Sequence, residues 1–76
     1  MHYRIVVKES TGKTWHSIVS ETNEGETVED VQNTLTKGME TARKSGSSFF
    51  MCCPPDQIVA FNANHIVLWY VEVYRK

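Results

Sequence analysis

The run from Ile66 to Tyr74, IVLWYVEVY, constrains this chain more than any other stretch. It is rich in β-branched and aromatic residues, which suit a pleated, half-buried surface and suit a helix poorly. Side chains alternate across a strand, so Trp69, Val71 and Val73 face one way while Leu68, Tyr70, Glu72 and Tyr74 face the other. Both faces therefore carry large side chains. One small sheet around one core shelters one such face, and the second needs a helix or a partner.

Chain length sharpens that demand. Seventy-six residues make a single domain, 1-76. A chain of this size buries about 60% of its unfolded surface, and small folds usually add a disulfide, a metal or oligomerisation. The two cysteines, Cys52 and Cys53, are adjacent. Neighbours on a strand point to opposite faces, so a bond between them would be strained and no disulfide framework is expected. That favours a reducing, cytoplasmic setting, in the source cell or in a host cell. The N-terminus, MHYRIVVKE, has charge on both sides of a short apolar core and does not read as a secretory leader. No run reaches membrane-spanning length, so no membrane partner is expected. A net charge of −1 lacks the electrostatic footprint of a nucleic-acid binder. The scattered cations Arg4, Lys8, Arg75 and Lys76 would be the route to such binding.

The rest of the chain divides into short elements. Tyr3 to Lys8 alternates as a strand, Glu9 to Gly12 forms a turn, and Lys13 to Ser20 returns as a second strand, completing an antiparallel hairpin. Thr27 opens a helix, with Thr27-Val28-Glu29-Asp30 approximating a capping box in which Asp stands where Glu is usual. The apolar stripe is Val28, Val31, Leu35, Met39 and Ala42. Acidic residues at the start of this helix and basic ones at its end match the macrodipole. Gly38 lowers helix propensity by about 1 kcal/mol, a penalty that close approach to a sheet would explain. Gly46 is the expected C′ residue. Phe49 to Cys53 reads as a strand buried on both faces or nearly so, ended by Pro54-Pro55-Asp56, and Ile58 to Phe61 as the next. Asn62 to His65 turns the chain into the final strand.

The order ββαβββ predicts an α+β fold of two layers, with one helix packed on a mainly antiparallel sheet, flat or curled into a small barrel. The stripe is too narrow to cover Trp15, Phe49, Phe50, Phe61, Trp69, Tyr70 and Tyr74 together. An open face or an open sheet edge then becomes a route to association.

Little in the sequence reads as catalysis. His2, His16 and His65 lack any metal-ligand spacing, and no metal or cofactor is expected. Thr11-Gly12-Lys13-Thr14 contains a Gly-Lys-Thr but leads into a strand, where a phosphate loop leads into a helix. An enzyme using His65 with Cys52 or Cys53 is the alternative reading. The apolar Phe49-Phe50-Met51 beside those thiols would raise their pKa and opposes nucleophilic activation. Asn62, Asn64 and His65 form the most polar loop in an apolar setting. They either bond their own backbone, as Asx turns do, or line a rim that binds a small polar, nucleotide-like ligand. Tyr70 and Tyr74, with Arg75 beside them and Tyr3 and Trp69 nearby, combine apolar area with polar ends in the manner of interface hot spots.

The tail, with Asn64-His65-Ile66-Val67 and the Val71-Glu72-Val73 close, resembles the C-terminal end of small phage and prophage proteins of Gram-positive bacteria. That resemblance implies a compact accessory protein at work in a host cytoplasm, inhibiting a host factor or sequestering a signalling molecule. It transfers no catalytic residue. The expectation is a non-enzymatic binding protein that acts as a homo-oligomer on a host protein or a small polar ligand.

Overall fold

The computed structural model describes residues 1–74. Its elements are β1 (His2–Glu9), β2 (Thr14–His16), β3 (Ser20–Glu21), α1 (Val28–Ser45), β4 (Ser48–Cys53), β5 (Gln57–Asn62), a 3-10 turn (Ala63–His65) and β6 (Ile66–Val73). The fold is α+β, with antiparallel pairing throughout. The strands form two open sheets, and neither closes into a barrel. In the first, β1 is central, β6 runs along one side, and β2 and β3 lie end to end along the other. The second is the β4–β5 ribbon.

The expected second strand, Lys13 to Ser20, is broken, and Ser17 is the cause. The Ser17 side chain accepts the Ile5 amide at 2.7 Å and donates to the Ile18 carbonyl at 2.8 Å, while the Ser17 amide donates to the Ile5 carbonyl at 2.8 Å. Ser17 thus replaces a stretch of ladder within its own length, and the chain bulges through Ile18 and Val19. The bulge turns the Ile18 amide outward to the Cys52 carbonyl, 2.9 Å away, joining the two sheets.

The helix ends follow local chemistry. Thr27 and Asp30 form a reciprocal capping box, and Gly46 closes the helix in the left-handed conformation at φ 72°. Val31, Leu35, Met39 and Ala42 are buried. Gly38 is exposed with open space around it, so the close-approach explanation fails. It precedes Met39 on the helix and faces solvent.

Helix and ribbon pack side by side on the same face of the first sheet. The core joins Val7, Met39, Ala42, Met51, Cys53, Phe61, Ala63 and Ile66, with Ile5, Trp15, Phe49, Val59 and Trp69 against it. Trp15 meets Phe61 edge to face at a centroid distance of 5.4 Å, and its indole donates to the Glu9 carboxylate at 2.8 Å. The ribbon supplies the apolar cover that a lone helix could not. It is itself covered on one side only, so β4 is not buried on both faces: Met51 and Cys53 turn inward while Phe50 is 64% exposed.

Candidate functional site

Among the described residues, neither helix nor ribbon lies on the other face of the first sheet. Its side chains follow from the register. Arg4 lies opposite Glu72, Val6 opposite Tyr70 and Lys8 opposite Leu68, while His16 flanks Val6 from β2. The Tyr74 amide extends the ladder to the His2 carbonyl at 2.9 Å. Val6 is 2% exposed although it lies outside the main core, so its shelter comes from neighbours on its own face, Tyr70 and His16. Those neighbours remain accessible: Tyr70 and Tyr74 are each 39% exposed and Leu68 is 50% exposed. Arg4 clamps Glu72 through Nε at 2.9 Å and Nη2 at 2.7 Å, and His2 stands 3.8 Å from Glu21. The result is a patch of aromatic and aliphatic surface bordered by the Arg4–Glu72 ion pair and by exposed Lys8.

The five candidate interface residues therefore separate. Tyr70 and Tyr74 share the open face. Trp69 lies on the covered face: its indole donates to Thr36 Oγ1 at 3.1 Å and the Arg43 guanidinium stacks on it at 4.8 Å. Tyr3 also turns to the covered side, where it lines a groove of about 300 Å³ with Ile5, Val31, Leu35 and Phe49. Arg75 lies outside the described residues.

Within the polar loop, the Asn62 side chain is committed to the loop's own backbone. Asn62 caps the 3-10 turn by accepting the Asn64 amide on Oδ1 at 3.0 Å. The His65 carbonyl accepts the Ser10 amide at 2.7 Å, which fastens the loop to the β1–β2 turn. The Asn64 and His65 side chains are exposed, and the groove beside Tyr3 is not lined by any of the three.

Cys52 and Cys53 point to opposite sides of the ribbon. Cys53 is buried in the core, and desolvation together with the neighbouring Cys52 thiol raises its pKa. Among the described residues, neither thiol hydrogen-bonds to His65, and no three His, Cys, Asp or Glu side chains gather to hold a metal. No described helix is long and apolar enough to cross a membrane.

The sequence reading missed the outer side of the ribbon. Phe50 lies opposite Ala60 and Cys52 opposite Ile58, all facing away from the core, with Ile58 78% exposed. The available signal was Gln57–Asn62 itself, which contains no charged residue. Searches of family models, curated proteins and solved structures find no match to this chain.

Proposed function

We propose that this chain is a non-enzymatic binding protein that acts as a homo-oligomer and engages a partner protein through the open sheet face around Tyr70 and Tyr74. The observation that carries the reading is the exposure of Tyr70 on β6 and of Tyr74 just after it, beside the Arg4–Glu72 pair. Tyrosine at such a position contributes large contact area at low entropic cost, because it has few rotatable bonds and a polar tip. The tail's resemblance to phage and prophage proteins directs the search for a partner to a Gram-positive host cytoplasm, where occupation of a host factor would inhibit it. Sequestration of a small polar ligand at Asn62, Asn64 and His65 has less support, since the Asn62 side-chain Oδ1 already accepts the Asn64 amide.

The test is quantitative affinity capture from host cytosol with the wild-type chain and with Tyr70→Ala/Tyr74→Ala. The reading expects a protein enriched by the wild type and lost with the double variant at unchanged far-UV circular dichroism. Equal enrichment by both chains counts against it.

A further inference from the structure

The strand edges of this molecule are protected unequally. Along the outer edge of β6, Gln32 Oε1 accepts the Val71 amide at 2.8 Å and Arg43 donates to the Ile66 carbonyl. The β2–β3 edge is short and broken by the Ser17 bulge, a common protection against edge pairing. On the outer edge of β4, the Cys52 carbonyl is taken by Ile18. The remaining edge is that of β5, which pairs only with β4 among the described residues.

The direction of its free groups follows from that Ile18 bond. The Cys52 carbonyl points away from β5, so Cys52 and Ile58 form a pair that exchanges no hydrogen bonds. The Ile58 amide and carbonyl therefore point out of the free edge, and two residues on those of Ala60 do the same. Gln57–Asn62 carries no charge and no proline. The usual devices that discourage strand addition are absent from this one edge.

Building on the homo-oligomer reading above, we propose that β5 pairs antiparallel with β5 of a second copy, with Ile58 opposite the copy's Ala60 and Val59 on the two-fold axis. Identical strands paired in this way are self-complementary and the assembly closes as a dimer. A large side chain meets a small one at each pair, and no like charges meet at the axis. Each Ile58–Ala60 pair exchanges both backbone hydrogen bonds. The outward rows Cys52–Ile58 and Ala60–Phe50 then run on from one copy into the other, and Ile58 gains lateral cover. The ribbon packs on the helix side of the first sheet, so the tyrosine faces of both copies stay free for a partner.

Sedimentation equilibrium of the full chain, from micromolar to near-millimolar concentration, tests this. The expected wild-type mass is twice 8.7 kDa. Ile58→Lys places like charges diagonally across the axis and removes the apolar cover of a side chain that is 78% exposed in one copy, and should weaken the dimer about tenfold. Ala60→Pro removes an outward amide without touching the β4 ladder and should act likewise, with Ile58→Lys decisive if the proline variant misfolds. Tyr70→Ala/Tyr74→Ala should remain dimeric. A wild-type monomer throughout overturns the homo-oligomer reading itself. A dimer that survives Ile58→Lys but dissolves with the tyrosine variant keeps that reading and overturns the β5 assignment.

Discussion

The Arg43 guanidinium lies over the Trp69 indole, 4.8 Å from its centroid, while its Nε donates to the Ala63 carbonyl at 3.0 Å and Nη2 to the Ile66 carbonyl. One side chain from the last turn of α1 thus fixes the 3-10 turn, the start of β6 and the tryptophan that the helix covers. The contact lies on the face of β6 that α1 covers. With Trp69 held under the helix, alternation along the strand turns Tyr70 outward.

Arg43→Ala should therefore destabilise the fold by about 2–3 kcal/mol, because it strands two partly buried carbonyls and removes the stacking. Arg43→Lys should recover less than half of the loss, since an ammonium cannot reproduce the planar fork. Chemical denaturation of the three chains gives the comparison. Equal stability of Arg43→Ala and wild type would remove Arg43 from its organising role.

Gly38 offers a gain. It is helical, exposed and free of neighbours, so a methyl group there meets nothing. Gly38→Ala should stabilise by about 1 kcal/mol. For a domain of this size that corresponds to a Tm increase of roughly 4–8 °C in a thermal melt. A decrease would mean that another surface, in this copy or a second one, approaches the helix at that point.

The helix start should respond to acid. Thr27, through its backbone amide and then its hydroxyl side chain, holds the Asp30 carboxyl below the usual carboxylate range. A depressed carboxyl stabilises the fold fully above its unfolded pKa of about 3.9, and the contribution fades as pH falls through the lower folded value. Carboxyl-detected NMR should place Asp30 below an aspartate in the unfolded chain. Asp30→Asn should flatten this part of the acid stability profile, and an unchanged profile would contradict the capping role. Thr27→Ala should lose about 1 kcal/mol at neutral pH.

Thiol chemistry tests the Cys53 form of the enzymatic alternative. Cys53 is buried and burial raises its pKa, so the native chain should alkylate there only as fast as it unfolds. Mass spectrometry of iodoacetamide-treated protein at neutral pH should find Cys53 protected. Rapid modification of Cys53 in the folded chain would reopen the His65–cysteine hypothesis.

The sequence made some of this structure readable and hid the rest for physical reasons. The helix was legible because its ends are local: a Thr27–Asp30 box and a left-handed Gly46 need no tertiary context. The facing of β6 was legible because alternation has a fixed period. The broken second strand was not, since Trp15, Ser17 and Val19 alternate as an unbroken strand would, and only the Ser17 contacts to Ile5 reveal the bulge. An apolar run such as Phe49-Phe50-Met51-Cys52-Cys53 fits a strand buried on both sides, but a two-stranded ribbon on the surface of a core offers only one. Arg43 was hidden because a cation near a helix C-terminus is already accounted for by the dipole. The candidate surface was half legible: Tyr70 and Tyr74 emerge together, while Trp69 and Tyr3 fall on the covered side because the helix and the ribbon share that face.

Photocross-linking from position 70 tests the central claim most directly. A benzophenone side chain placed at Tyr70, with the same label at exposed Lys37 on the helix as reference, is irradiated in cells that make the protein. The account predicts a discrete adduct with another protein from position 70 and none of that mass from position 37. Adducts only within the chain, or the same adducts from both positions, would contradict it.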